Sequence, residues 1–120
     1  MKEYKLSQSE ARFTELVWQH EPMGSGELVK ICEKEMGWKK STTYTVLKIL
    51  CKKGIVQNQN AVVTSLVKKD EFYGRQSRRF VEDTFGGSLP GFLAAFIGGG
   101  RLSERQADEL KKLIDQHKEE

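Results

Sequence analysis

Negative charge is missing from the middle of this 120-residue chain. No aspartate or glutamate occurs between Glu35 and Asp70, although the sequence has 17 acidic residues in all. The lysines of this interval are Lys39, Lys40, Lys48, Lys52, Lys53, Lys68 and Lys69. The interval therefore carries +7, and the rest of the chain must carry −4 for the formal total to be +3. Segregated positive charge is typical of a surface that binds a polyanion, and the alternative is a solvated basic face with no partner.

Long apolar runs are absent as well. No stretch approaches the roughly 20 apolar residues that a membrane-spanning helix needs, and the N-terminus MKEYKLSQSE has no hydrophobic signal region. We therefore expect a cytoplasmic protein with no membrane insertion. The length fits one domain, or one small domain with an appendage.

Cysteine and histidine are too few and too scattered to predict a metal site. Cys32 and Cys51 lie on the apolar sides of predicted helices, so we expect buried free thiols, with a redox pair as the alternative. His20 and His117 belong to no Cys-x-x-Cys or His-x-x-x-His cluster. No nucleophile–base pair, phosphate loop or carboxylate cluster stands out. The sequence thus predicts no metal, no cofactor and no enzymatic activity.

The stretch KKSTTYTVLKILCKKG, from Lys39 to Gly54, is typical of a helix with two different faces. Apolar spacings of three and four predict one side packed in a core. That side comprises Thr43, Val46, Leu47 and Leu50. The outer side carries hydroxyls, a phenol and an ammonium group, on Ser41, Thr42, Tyr44, Thr45 and Lys48. Such a face is suited to a DNA groove, where it can contact phosphates and base edges together.

The residues before this stretch predict the rest of a helix-turn-helix. Ser7 and Glu10 form a capping box that opens a first helix, which Pro22 ends. Ser25 is expected to cap a second helix, which Gly37 ends before the turn into the central helix.

A β-hairpin is predicted directly after the central helix. Residues 55–58 and 62–67 are rich in β-branched side chains, and Gln59-Asn60 between them supplies the turn. A hairpin in this position is a wing, so residues 1–69 are predicted to form a winged-helix DNA-binding domain. The predicted DNA contacts are Lys39, Lys40, Ser41, Thr42, Tyr44, Thr45, Lys48, Lys52, Lys53, Asn58 and Asn60.

The composition changes again from Asp70 onwards, where five of the six phenylalanines occur. Asp70 is expected to cap a helix that Gly86-Gly87 ends, and two further helices flank the run at 98–100. So small a segment rarely builds a sufficient core alone. Residues 70–120 are therefore predicted to be a helical dimerisation region, and the alternative is that they fold back onto their own winged helix. The expected interface residues are Phe80, Phe85, Phe92, Leu93, Phe96, Ile97, Leu110 and Ile114.

Five segments, in this order, carry a family resemblance: LSQSEARFTELVW, SGELV, KKSTTYTVLKILCKKGIV, VEDTFGG and LSERQADELKKLI. They cover nearly the whole chain and resemble the penicillinase-repressor family, the repressors of β-lactamase and methicillin-resistance genes and their relatives. The resemblance implies a mainly α protein with a small β wing, acting as a homodimeric repressor on a palindromic double-stranded DNA operator.

The resemblance also implies a way of relieving repression. In β-lactam-responsive members a membrane-bound sensor metalloprotease triggers cleavage in the dimerisation region, at a position that corresponds here to Ala95-Phe96. These β-lactam-responsive members have asparagine where this chain has Ala95, and they tend to carry arginines where it has Tyr44 and Ile49. Copper-responsive members carry a Cys-x-Cys-type motif, whereas this chain has no cysteine after Cys51. The alternatives are a regulator of another regulon without proteolytic induction, and a winged helix used only for protein interaction.

Overall fold

The computed structural model describes residues 5–119, and in that range the chain forms six helices and three strands. The elements are α1 (Gln8–His20), β1 (Met23–Gly24), α2 (Ser25–Met36), α3 (Lys40–Lys52), β2 (Val56–Gln59), β3 (Val62–Ser65), α4 (Lys69–Phe85), α5 (Leu89–Ile97) and α6 (Glu104–His117). This mainly helical architecture with a small antiparallel sheet is a winged helix, which confirms the predicted fold class. Within residues 5–119, every helix is too short or too polar to cross a membrane.

The chain divides into two compact units, the first ending at Gln76 and the second beginning at Ser77, so the boundary falls within α4. The N-terminal turns of α4 belong to the first unit because their aromatic rings pack against α1. The Trp18 ring centroid lies 5.5 Å from that of Phe72 and 5.7 Å from that of Tyr73. The indole nitrogen of Trp18 also donates a hydrogen bond to the carbonyl oxygen of Val67 (3.0 Å).

The predicted capping box opens α1. The Ser7 hydroxyl accepts a hydrogen bond from the Glu10 amide (3.1 Å), and the Glu10 carboxylate accepts one from the Ser7 amide (2.9 Å). The helix ends at His20, before Pro22, as predicted. Its buried side joins α2, α3 and the sheet in one hydrophobic core, composed of Phe13, Leu16, Val17, Met23, Leu28, Cys32, Leu47, Leu50, Ile55, Val56 and Val63.

The prediction that Ser25 caps α2 is wrong. Gly24 is the N-cap residue, and Ser25 is the first residue of the helix. The Ser25 side chain is instead buried, and its hydroxyl accepts a hydrogen bond from the Tyr44 phenol (3.2 Å). Gly37 ends α2 in the left-handed conformation at φ 66°, as its position predicted.

The wing is a two-residue hairpin in a sheet of order β1-β3-β2, with both pairs antiparallel. Gln59 pairs with Val62, so the turn residues are Asn60 and Ala61, at φ 53° and 62°. The predicted turn, Gln59-Asn60, is therefore displaced by one position. Two positive φ angles are what a tight hairpin between twisted strands requires. The sequence hardly signals this turn, because alanine is uncommon in the left-handed conformation.

The α4 helix begins at Lys69, so Asp70 lies in its first turn and is not the predicted cap. It ends at Phe85, followed by Gly86 (φ 58°) and Gly87 (φ 84°), which confirms the predicted helix stop.

The second unit continues with two capped helices. Ser88 caps α5 by accepting a hydrogen bond from the Gly91 amide (2.9 Å), and a capping box between Ser103 and Gln106 opens α6. Side chains at the end of α4 and in α5 form a phenylalanine cluster with ring centroids 5.6–6.1 Å apart. This cluster comprises Phe80, Phe85, Phe92 and Phe96. No residue of α5 or α6, each of which is fully described, is buried.

Candidate nucleic-acid interface

The turn into α3 is fixed by aromatic packing. Trp38, between α2 and α3, stacks on the core residue Phe13 with ring centroids 6.0 Å apart and an interplanar angle of 19°. Lys39 is the N-cap of α3, and the helix begins at Lys40. The start of α3 is thereby anchored on α1.

The α3 helix has the two faces that its sequence predicts. Thr43, Leu47 and Leu50 are buried, and Val46 packs against the core from a half-buried position. The opposite side is exposed and will be called the recognition face. It comprises Lys40, Ser41, Thr42, Tyr44, Thr45, Lys48, Ile49 and Lys52.

The lysines near α3 differ in whether they already have a partner. Within residues 5–119, no ion pair or side-chain hydrogen bond engages Lys39, Lys40, Lys48 or Lys52. Lys53, in contrast, lies 3.1 Å from the Glu10 carboxylate and donates a hydrogen bond to the Lys5 carbonyl oxygen (3.0 Å). It therefore joins the end of α3 to the start of α1, unlike its neighbours.

The two remaining lysines of the acid-free interval are also paired. Lys69 lies 2.7 Å from the Glu15 carboxylate, and Lys68 lies 3.4 Å from that of Glu21. Four of the seven positive charges thus remain available to a polyanion, and all four are on α3 or at its N-cap.

Hydroxyl groups on the recognition face are partly engaged within the protein. The Thr45 hydroxyl donates to the Ser41 carbonyl oxygen (2.9 Å), one turn earlier in the helix. Its proton is used, so towards a ligand Thr45 offers an acceptor lone pair and its methyl group. Tyr44, which is 37% exposed, donates its phenol proton to Ser25. Tyr44 therefore connects α3 to α2 while leaving part of its ring accessible.

The wing is polar and carries no charge. Between Val56 and Ser65 there is no lysine, arginine, aspartate or glutamate. Asn58, Gln59 and Asn60 are exposed, and Gln57 is tied across the hairpin to the Thr64 hydroxyl (3.1 Å). The wing tip is held in place because the Ala61 carbonyl oxygen accepts a hydrogen bond from the Ser25 amide (2.8 Å). Ser25 thus contacts both α3 and the wing.

Two features of this surface were missed in the sequence reasoning. The Tyr44–Ser25–Ala61 connection depends on residues far apart in sequence, and no local pattern signals it. Ile49 was left off the predicted interface, although it lies one turn beyond Thr45 and is 39% exposed. The helical period alone would have assigned Ile49 to the recognition face.

The cysteines are free, with Cys32 buried and Cys51 half-buried. Burial raises the pKa of both thiols, so the thiolate form is disfavoured at neutral pH. Across residues 5–119, no group of three or more histidine, cysteine or carboxylate side chains is placed to hold a metal ion.

The predicted dimerisation residues all lie in the second unit and remain accessible. Phe80 is 51% exposed and Phe96 is 72% exposed, even though both belong to the phenylalanine cluster. Ile114 of α6 is also exposed, and the other members are half-buried: Phe85, Phe92, Leu93, Ile97 and Leu110. Ala95 and Phe96, the position implied for proteolysis, are both exposed on α5.

Comparison with known proteins agrees with this architecture. Residues 6–116 match the family model described as Penicillinase repressor. The chain is 24% identical over 118 residues to the penicillinase repressor of Bacillus licheniformis, and the match covers 95% of this chain and 92% of that protein. The chain therefore belongs to the penicillinase repressor family, a family of winged-helix, DNA-binding transcriptional repressors.

Proposed function

We propose that the protein is a homodimeric repressor that binds a palindromic operator through the recognition face of α3 and the wing. The observation that carries this proposal is the set of four unpaired lysines: Lys39, Lys40, Lys48 and Lys52. They surround exposed hydroxyl groups on one side of a helix whose other side is buried. Cationic groups beside short hydrogen-bonding groups suit phosphates and base edges respectively.

In this proposal, α3 lies in the major groove. Thr42, Thr45 and Lys48 face base edges, with Tyr44 and Ser41 beside them, because these side chains are exposed along the outer side of the helix. Lys39, Lys40 and Lys52 lie at the two ends of α3, where they can reach phosphates. The amide side chains of Asn58 and Asn60 extend the backbone contacts by donating hydrogen bonds from the wing. Lys53 contributes least, since its ammonium group is paired with Glu10.

The exposed apolar side chains of the second unit support the homodimer. Phenylalanine rings and aliphatic side chains exposed together mark an interaction surface in a protein of this size. A two-fold dimer also matches the symmetry of a palindromic site. The winged-helix unit of each protomer will be called its head. Joining two heads in a dimer makes the second half-site contact intramolecular, which raises overall affinity by about 10²–10⁴-fold without new contacts.

Proteolysis by a membrane-bound sensor metalloprotease is the proposed route to derepression. The exposed Ala95-Phe96 bond lies in a helix without buried residues, and Gly98 ends that helix with φ 60°. Local unfolding of such a helix exposes its backbone at low cost. Cleavage there separates Phe96, Ile97 and α6 from Phe80, Phe85 and Phe92, and weaker dimerisation follows.

Binding to a selected duplex at several salt concentrations tests the DNA-binding part. Two winged-helix units with three phosphate-contacting lysines each give a slope of about −5 in a plot of log affinity against log salt. Lys40→Ala lowers affinity and reduces the slope. A protein that binds DNA with no salt dependence, or no DNA at all, contradicts this proposal and favours a protein-interaction module.

Truncation after Ala95 tests the dimer and its release. The expected result is a monomer by light scattering that binds the full palindrome no better than a single half-site. A truncated protein that stays dimeric and keeps full affinity contradicts release by cleavage, and favours a regulator without proteolytic induction.

A further inference from the structure

Ile49 is the one large aliphatic side chain on the recognition face of α3. Its side chain is 39% exposed, although α3 has a buried side available for apolar residues. Thr42, Thr45 and Ile49 follow at spacings of three and four, so they form one stripe along the helix. This stripe lies opposite the buried residues Thr43, Leu47 and Leu50.

The stripe has more apolar character than its two threonines suggest. The Thr45 hydroxyl proton is used by the Ser41 carbonyl oxygen at 2.9 Å, so Thr45 cannot donate it to a ligand as well. What Thr45 offers outward is its methyl group and an acceptor lone pair. Together with Ile49 it provides an apolar strip within a polar helix face.

Charge indicates which partner fits this strip. Lys48 and Lys52 flank Ile49 in sequence, lie on the same exposed side, and have no partner among residues 5–119. An apolar strip bordered by unpaired cations suits a polyanion that presents an apolar group between its phosphates. In the major groove of DNA that group is the 5-methyl of thymine, which apolar side chains contact directly.

We propose that Ile49, together with the methyl groups of Thr42 and Thr45, recognises the 5-methyl group of thymine in each operator half-site. This inference rests on the proposed function and adds a determinant of sequence preference to it. Ile49 acts here by apolar contact, whereas the neighbouring lysines act by charge. A thymine-to-uracil change removes the methyl and keeps every hydrogen-bonding group of the base pair, so it isolates this contact.

The test begins by selecting duplexes from a random pool with the full-length protein. Each thymine of the selected duplex is then replaced by deoxyuridine, one position at a time, and affinity is measured by fluorescence anisotropy. The wild-type protein is expected to bind about fourfold more weakly at one or two symmetric positions, as one buried methyl group predicts. Ile49→Ala is expected to lose most of this preference for thymine over uracil at those positions.

Lys52→Ala is the matched control, because it alters the same turn of the same helix and removes charge instead of apolar surface. It is expected to weaken the thymine and uracil duplexes by the same factor, which preserves the fourfold preference. Circular dichroism and thermal unfolding of both variants check that the fold is retained, as expected for exposed positions.

The outcomes separate this inference from the function on which it rests. If selection enriches no sequence, the proposed operator binding is wrong and the thymine contact is wrong with it. If a sequence is enriched but the wild type binds uracil duplexes as tightly as thymine duplexes, the Ile49 inference is wrong and operator binding stands. If Ile49→Ala keeps the fourfold preference, another residue reads the methyl group, which also overturns the inference.

Discussion

The two compact units differ in what happens to their apolar side chains. In the first unit Phe13, Leu50 and Ile55 are completely buried in one core shared by helices and sheet. In the second unit four phenylalanine rings pack on one another, yet Phe96 remains 72% exposed and neither α5 nor α6 has a buried residue. The first unit therefore buries its large apolar side chains within one chain. The second unit leaves much of its own apolar surface available to another molecule.

This difference assigns separate tasks to the two units. A head with a complete core can keep the recognition face in a fixed shape. A region with exposed apolar surface can gain further stability by association. Mutations in the two units should consequently have different physical effects, and the following experiments measure how far that separation holds.

The largest expected effect comes from removing the second unit. Truncation after Gln76 keeps the packing of Phe72 and Tyr73 on Trp18, so the head should still unfold cooperatively in urea. Its affinity for a full palindrome should fall by about 10²–10⁴-fold, because the proposed dimer no longer links the two winged-helix units. An unfolded fragment would show that the core of the head is incomplete without the second unit.

A pair of matched truncations in the two units should separate stability from association. Leu50→Ala removes a completely buried side chain and should lower the free energy of unfolding by about 2–5 kcal/mol. Phe96→Ala removes a larger but mostly exposed side chain, so it should weaken dimerisation while leaving the unfolding of the monomer nearly unchanged. Urea denaturation and sedimentation equilibrium measure the two quantities. Equal effects of both variants on monomer unfolding would contradict the comparison.

A smaller effect is expected from Glu21, the half-buried C-cap residue of α1. Partial burial alone would raise the pKa of Glu21, but hydrogen bonds from the Ser65 amide and hydroxyl and the charge of Lys68 hold it below its ordinary value. The unfolded state then takes up this proton first as the pH falls. Glu21 therefore stabilises the head above its ordinary pKa, and the contribution disappears as the pH falls through the lower native pKa.

Glu21→Gln should accordingly reduce the loss of stability between pH 7 and acid conditions by about 1.5 kcal/mol, the lower end of the range for hydrogen bonds to a charged group. Urea unfolding at several pH values measures this loss. Glu33→Gln, at an exposed position of α2, is the control and should leave the acid sensitivity of the head unchanged. An identical pH dependence for wild type and Glu21→Gln would contradict the assignment.

The smallest difference should be between two adjacent lysines. Lys52→Ala should reduce the salt slope of DNA binding by about 1 per protomer, because its ammonium group is unpaired. Lys53→Ala should change the slope less, and should lower head stability by up to about 1 kcal/mol through loss of the half-exposed Glu10 ion pair. Anisotropy titrations and urea unfolding distinguish the two. Equal slopes for both variants would mean that Lys53 leaves Glu10 on binding.

Much of the fold follows from local sequence signals. Three features depend only on neighbours within one or two helical turns, and all three are found in the structure. They are the Ser7–Glu10 capping box, the helix stop at Gly37, and the buried and exposed sides of α3. The errors at Ser25 and at the wing turn arise where a tertiary contact decides. Ser25 is recruited by Tyr44 and Ala61, and the register Gln59–Val62 moves the turn by one residue.

The candidate site was predictable only where it depends on local sequence signals. Periodicity identifies which residues of α3 face outward. It does not reveal that Lys53 is paired with Glu10, or that the Thr45 proton is directed to its own helix. Both interactions depend on which side chains or carbonyl groups lie nearby in the folded structure. They distinguish polar side chains that already have a partner within the protein from those that are available to a ligand.

The Ser25 contacts also bear on how quickly the head can engage DNA. Its hydroxyl holds Tyr44 of α3 and its amide holds the Ala61 carbonyl oxygen of the wing, so both elements are positioned before any ligand arrives. A preorganised surface loses little conformational entropy on docking. In the proposed complex, association is then expected to be a rigid-body encounter, with a rate governed by diffusion and by attraction between the unpaired lysines and the phosphates.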